Sequence, residues 1–551
     1  VGQEWLREHG MDQEPRLLYL PDSFGHSPGV PSLARAAGVD RVAVCRIAGM
    51  RFPGADLESA SHFPRPGTAA AELIGQGTAD FVWRAPDGAE VLSHWMSHGY
   101  GHGDMIARGG ISRALGLPVS WSDRRPDHVD RRIDGYLDDL RPLARTPYRL
   151  LAIGFDFVRP VPGLVELLDG WNERHHDRTG TWLVNAAMDD YFELVGGYRD
   201  QLPTIDFDPN PYWMGFYATR PDLKAAARKL GRRLIAADAE RARSTLTGGD
   251  APPLSARDQA AWWTAMTSNH HDFITGTAPD GVALGEQADL LRSALGATSQ
   301  PDAKTRPGGR AGTPAHGLLA HRREGERVTI DAPWGSATFD CRRGGALVSL
   351  ADTRDTNTRD TNTRDTVSAG SELLAGPSLE LASHVDSGGL WRMGQELNGG
   401  RWSLAERTSR HPATLDVQIA GDVATVTVHA TLEGRPVTLV HTLTAADPTI
   451  TTHTTVRARA RRTVTLVARH TARSESVSMH QPGAMITRPL RRWYDPTFWP
   501  LHTFASLSTP PGVNHHPGTG EGRHLAVATA TPTGLHVEPD GTTEVVVART
   551  A

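Results

Sequence analysis

Cysteine is almost missing from this chain: two in 551 residues, Cys45 and Cys341, far apart in sequence. Two such thiols build neither a disulfide framework nor a zinc site of CxxC type. No apolar run approaches the roughly 18 residues that cross a bilayer, so no membrane span is expected. An excess of one charge is missing as well. With 58 Lys+Arg against 63 Asp+Glu the net charge is −5, which excludes a broadly basic, nucleic-acid-binding surface as the driver of function. No basic, apolar, small-residue leader precedes the first strand, which reads as a cytoplasmic location. What is present is ordinary for a folded protein, 39% hydrophobic and 22% charged residues, with length for roughly three domains.

Three zones follow one another. In residues 1–200, Arg16–Leu20, Arg41–Cys45, Leu150–Ile153 and Thr181–Val184 read as buried strands. Pro31–Ala37 and Gly163–His175 read as helices between them, and this alternation predicts a parallel sheet or an α/β barrel. Residues 201–300 are helical. One helix is expected over Asp222–Leu246, and a second starts at Ser255, capped by its hydroxyl with Asp258 as capping-box partner, and ends near His270,. Residues 301–324 are rich in Pro, Gly and Arg at their start and read as a linker. From 325 to 551, Thr414–Ile419, Val423–Ala430, Val437–Leu443 and Thr463–Val467 alternate apolar and polar residues, the signature of an antiparallel β-sandwich. A tandem RDTNT repeat in Arg354–Thr366 contains no apolar residue and reads as a disordered loop insertion.

Chemistry concentrates in four segments. LYLPDSFGHS (Leu18–Ser27) places Asp22 just past a strand end, where a carboxylate either projects into a pocket or caps the segment that follows. IGFDF (Ile153–Phe157) repeats the arrangement with Asp156. Two carboxylates at two strand ends suit glycosidic cleavage, one as nucleophile and one as acid/base. NHHDFITGT (Asn269–Thr277) offers two imidazoles and a carboxylate at a helix end, either metal ligands or surface hydrogen-bonding groups. NPYWMGFYATRP (Asn210–Pro221) carries aromatics that either line a sugar site or pack between domains.

PDSFGHS followed by PSLARAAG, then NPYWMGFYATRP and HHDFITGT, in this order, resemble glycoside hydrolase family 38, the class II α-mannosidases. The resemblance implies a multidomain α/β, all-α and all-β chain: a partial, distorted β/α barrel, a small helical bundle and a C-terminal β-sandwich. It implies a retaining, zinc-dependent enzyme acting on terminal α-mannosides of a mannose-containing glycan. Asp22 matches the nucleophile, which is also a zinc ligand, and His271 matches a zinc-ligand histidine. Asp156 matches the acid/base, although the family carries two successive acids where this chain has Phe155-Asp156. Phe24, Arg46, Tyr100, Trp213 and Asp272 match substrate-pocket residues. For Arg46 a structural ion pair at a strand end is the competing reading.

Two further zinc ligands of the family lie in a His-x-Asp motif on the first barrel strand. No His-x-Asp follows an apolar strand at this N-terminus, and His9-Gly10-Met11-Asp12 has the wrong spacing. The expectation is a barrel lacking its first strand, with weak or no zinc binding. His94, His98 and His102 are four apart, but the glycines between them argue against a helix that would align them. A non-catalytic carbohydrate-binding remnant is therefore the alternative to an enzyme. A zinc peptidase is disfavoured, since no HExxH occurs,. Linkage specificity and oligomeric state leave no trace in the sequence.

Overall fold

The computed structural model describes residues 2–11, 15–50, 64–108, 124–157, 159–210, 212–249, 254–298, 319–352, 371–393, 401–490, 497–508 and 524–550. The chain is mixed α/β with several antiparallel sheets. It forms two compact units, one of Val1–Tyr212 with Gln481–Met485, the other of Trp213–His480 with Ile486–Ala551. The RDTNT repeat, most of the expected linker, and Trp493 and Tyr494 lie outside the described residues.

The first unit is built on five strands: β1 (Leu17–Leu20), β2 (Arg41–Val44), β3 (Asp80–Arg84), β4 (Glu90–Trp95) and β5 (Thr204–Ile205). Their order is β1-β2-β4-β3-β5. β1, β2 and β4 run parallel, with Leu20 opposite Val44 and Val44 opposite Trp95. β3 runs antiparallel to β4. Among the described residues the expected barrel is thus an open mixed sheet. Its middle is dry: Val42, Ala43 and Val44 are fully buried, as a strand covered on both faces requires.

The β3–β4 hairpin turns at Ala85–Ala89, where Ala85 N–H donates to Ala89 O at 2.9 Å and Gly88 has φ +89°. Between these strands Asp80 pairs with His94 at 2.8 Å, and Tyr191 O–H donates to the other Asp80 oxygen at 2.8 Å. All three side chains are buried, so each needs such a partner.

Helices α1 (Val30–Ala36), α2 (Pro126–Leu140), α3 (Leu164–Thr179) and α4 (Met188–Gly196) belong to the same unit. Two expected strands do not form: Leu150–Ile153 and Thr181–Val184 carry no regular secondary structure and pair with no strand among the described residues. Asn172 on α3 takes the place of a neighbour for the second: its carbonyl accepts from Leu183 N–H at 2.8 Å and its amide donates to Leu183 O at 2.9 Å. Trp182 and Val184 stay largely exposed. An apolar run alone does not make a strand when no ladder partner is in reach.

In the second unit α5 (Pro221–Leu246), α6 (Ala256–Ser268) and α7 (Ala288–Ala297) form a small helical group. Leu223, Ala227, Leu230 and Leu234 recur every three or four residues on α5 and pack with Ala261, Ala265, Leu291 and Ala294,. Ser255 caps α6 as expected, its Oγ accepting from Asp258 N–H at 3.1 Å.

Four antiparallel sheets of five, six, four and four strands complete the unit. The strand Ala320–Glu324 lies within the stretch read as linker. The four strands anticipated between Thr414 and Val467 are all present, each longer by one to three residues. The six-stranded sheet is pinned by a buried ion pair, Arg549 Nε to Asp386 Oδ2 at 2.7 Å, to which Thr463 O–H also donates at 2.7 Å. No helix among the described residues is long and apolar enough to cross a membrane.

Candidate active site

Parallel pairing explains the first half of the site. Because Leu20 lies opposite Val44, the residues two beyond each, Asp22 and Arg46, leave the sheet side by side at its C-terminal edge, the usual place for chemistry on such sheets. Arg46 Nε donates to Asp22 Oδ1. The Arg46 side chain is 5% exposed and that of Asp22 18% exposed, so the cation is held inside while the carboxylate still meets solvent. The guanidinium lies 5.9 Å from the Phe24 ring centre and 5.6 Å from that of Tyr100, a cation–π cradle.

The loop after β4 supplies Tyr100. Its hydroxyl is 2.5 Å from Asp156 Oδ2 and 3.2 Å from Asp22 Oδ2. Burial first, then the bond to Asp156, pushes the phenol far above its ordinary range, so it keeps its proton. Its ring stacks on Phe155 at 6.4 Å and 17°.

Glycine is what lets the Asp156 loop come this close. A Cβ on Gly101 would stand 2.5 Å from Phe155 Cδ2, and one on Gly103 would stand 2.5 Å from Ile153 Cγ1, closer than carbon atoms pack. Gly103 N–H donates to Ala152 O at 2.9 Å, and Phe155 N–H to Asp104 Oδ2 at 3.1 Å.

Two contributors escaped the sequence reading. Asn210 donates to His26 O at 2.6 Å and packs where a side chain on Gly25, φ +73°, would have to go. Tyr212 is fully buried, its Cβ 3.4 Å from where a Cβ on Gly25 would stand, and burial pushes its phenol up. The start of the NPYWMGFYATRP segment therefore braces the Asp22 loop, a role the motif's aromatic density did not disclose. Cys45 is buried and its thiol pushed up to about 12 by burial, so it is no nucleophile.

Five of the sequence-derived candidates, Asp22, Phe24, Arg46, Tyr100 and Asp156, thus meet in one cluster of the first unit. The other three belong to the second unit. Trp213 is 3% exposed and packs on Trp391 at 5.0 Å. His271 and Asp272 follow α6. The ligand atoms of His270, His271 and Asp272 lie within 4.8 Å of one another, and the His271 side chain is 27% exposed. Imidazole nitrogen and carboxylate oxygen are donors that zinc accepts, so His271, and Asp22 in its own unit, fit that metal chemically.

His94 is held in the sheet by Asp80, whereas His98 stands 3.6 Å from Asp139, and the His102 ring 5.6 Å from that of Tyr136. The three do not line up as a ligand set. Trp499 in the second unit is fully buried, with the Arg488 guanidinium 4.8 Å from its ring centre, so it does not face solvent as a sugar contact would.

Two carboxylates in reach of one hydroxyl beside an arginine are an arrangement that glycosidic cleavage can use. Comparison with known proteins gives the family. Residues 1–206 match the Glycosyl hydrolases family 38 N-terminal domain, and residues 211–302 the Alpha mannosidase middle domain. The chain belongs to glycoside hydrolase family 38.

Alpha-mannosidase 2x of Mus musculus is 25% identical over 344 residues, covering 53% of this chain and 28% of that protein. The Lysosomal alpha-mannosidase of Felis catus is 22% identical over 318 residues, covering 51% and 28%. The chain thus matches little more than a quarter of the length of these curated relatives. Among solved structures, an alpha-mannosidase from Enterococcus faecalis V583 superposes with a TM-score of 0.67 at 12% identity, covering 99% of this chain and 72% of that one. A second family 38 protein from Enterococcus faecalis gives 0.59 at 13% identity, covering 99% and 70%.

Proposed function

We propose that the protein is a retaining α-mannosidase that removes terminal α-linked mannose from oligosaccharides, on a barrel-derived catalytic unit. The observation that carries the reading is the shared hydroxyl. Carboxylate oxygens at 2.5 and 3.2 Å from one Tyr100 Oη are less than about 6 Å apart. Retaining glycosidases hold their two carboxyl groups at about 5–5.5 Å, inverting ones at about 6.5–9.5 Å to leave room for water. The names of the curated relatives supply the sugar.

In this reading Asp22 attacks the anomeric carbon while Asp156 passes its proton to the departing oxygen. The glycosyl ester on Asp22 is then cleaved by water, with Asp156 as base. Arg46 sets the direction of the Asp22 carboxylate by holding its other oxygen. Phe24 contributes to the sugar pocket beside Asp22. Asp22 in the first unit and His271 in the second each offer a donor atom for zinc, which as a Lewis acid would bind hydroxyl oxygens of the sugar. Two protein ligands are fewer than the three or four that zinc takes.

Hydrolysis of an aryl α-mannoside by the 551-residue chain tests the assignment, first with added zinc and then with chelator. Hydrolysis of the α-mannoside in preference to other glycosides is the expected result, and with two protein ligands any gain from zinc should need zinc well in excess of protein. A folded sample that hydrolyses β-mannosides or α-glucosides in preference would overturn the substrate class.

A further inference from the structure

We infer that Tyr100 is a positioning residue for the acid/base proton, reversing its own hydrogen bond between the two halves of the reaction. The inference rests on the retaining reading above and concerns a side chain otherwise placed only among pocket residues.

A phenol has one proton to donate and lone pairs to accept with. Tyr100 Oη nevertheless has two carboxylate oxygens in reach, at 2.5 and 3.2 Å, and it can donate to one of them at a time. Asp22 already takes the Arg46 Nε–H on its other oxygen, so Tyr100 Oη can serve Asp156 along the short contact. A retaining reaction requires Asp156 to bring a proton to the leaving oxygen. With that proton in place the Asp156 O–H donates to Tyr100 Oη, and the Tyr100 O–H turns to Asp22 along the longer contact.

In the first step an Asp22 oxygen bonds the anomeric carbon, the bond from that carbon to the glycosidic oxygen breaks, and the Asp156 proton moves to that oxygen. Asp22 is now an ester and Asp156 an anion, so the Tyr100 O–H turns to Asp156. In the second step water gives a proton to Asp156, its oxygen bonds the anomeric carbon, and the ester bond breaks with its electrons returning to Asp22. Tyr100 O–H turns back. The tyrosine neither gains nor loses a proton over the cycle.

Its surroundings fit this use. The ring is stacked on Phe155 and faces Arg46, which fixes where Oη stands while leaving its O–H free to rotate. Tyr100 is the hydrogen-bond partner of Asp156 among the described residues, so the acid/base has this one group to orient it before substrate arrives.

The test compares wild type, Tyr100→Phe, Asp156→Ala and the double variant on two substrates. Phenyl α-mannoside needs its leaving group protonated, and 2,4-dinitrophenyl α-mannoside does not. Tyr100→Phe is expected to lower kcat/KM on the phenyl substrate about 10- to 100-fold, within the range of general-acid assistance, and on the dinitrophenyl substrate by less than about 3-fold. The double variant should be no slower than Asp156→Ala, because a residue that acts through another adds nothing once that other is gone.

Equal losses on both substrates, or losses that multiply in the double variant, would make Tyr100 a sugar contact and overturn the inference. Tyr100→His, which keeps one donor and one acceptor, is the check if the phenylalanine variant loses its thermal transition; recovery confined to the phenyl substrate supports the role, and none refutes it. A wild type that hydrolyses neither substrate removes the mannosidase reading itself, a failure distinct from a flat result in an active enzyme.

Discussion

Asp22→Ala is expected to reduce kcat on aryl α-mannosides by roughly 10,000-fold or more, the scale on which enzymes lose rate when a covalent nucleophile is deleted. The size follows from what the carboxylate does in this cluster. It is the group that would carry the glycosyl ester, and it is the ion-pair partner of an Arg46 side chain that is 5% exposed. The alanine variant therefore leaves a buried guanidinium facing an empty position, so a loss of folding has to be separated from a loss of chemistry. Asp22→Asn makes that separation. The amide keeps the shape and one acceptor for Arg46 Nε but is a poor nucleophile, so its rate should fall nearly as far with the thermal transition unmoved. A variant with an asparagine at this position and more than about a tenth of the wild-type rate would take the nucleophile role away from Asp22.

Asp156→Ala carries the second-largest expected loss, about 100- to 10,000-fold on substrates with poor leaving groups. The side chain is exposed, so the change should cost little stability, and the effect should be read almost wholly in the chemistry. Its signature is a rescue. With an activated substrate the ester on Asp22 still forms, and azide, which needs no general base, takes the place of water. Added azide should therefore raise the rate and yield α-mannosyl azide. An Asp156→Ala enzyme that azide does not accelerate, or whose loss is the same for every leaving group, would show that another residue is the acid/base.

How far the sequence discloses this site depends on which residues are asked. Asp22 and Arg46 are legible, because each stands two residues past the end of a short apolar strand, and pairing those strands in parallel brings the two together. The ionic and the catalytic readings of Arg46 are not rivals in the structure, since the ion pair is with Asp22 itself. Asp156 is legible only in part. The segment before it, Leu150–Ile153, reads as a strand but pairs with none among the described residues, and what fixes the Asp156 loop is its close packing on Gly101 and Gly103. Those glycines stand in the sequence as HGYGHGD, where they argue against a helix but do not say what packs on them.

Asn210 and Tyr212 act from almost 190 residues away, and no local pattern reports that an amide there will fill the space beside Gly25. The hairpin of β3 and β4 had a usable signal, a Pro-Asp-Gly turn between two apolar runs,. The alternation of strand and helix around it suggested an all-parallel sheet instead. In the second unit local pattern sufficed: Ser255 with Asp258, the heptad-like leucines of α5 and the alternating strands around Val426 all express periodicity within one element.

The measurement that bears most directly on the central claim is proton NMR of the anomeric signal of the first mannose released from an aryl α-mannoside, followed before mutarotation. Two carboxylates bridged by the Tyr100 hydroxyl predict retention, so α-mannose should appear first and the β anomer only as the sugar equilibrates. Early appearance of β-mannose would mean direct attack by water, which needs carboxyl groups held further apart than these, and would contradict the assignment of Asp22 as the nucleophile.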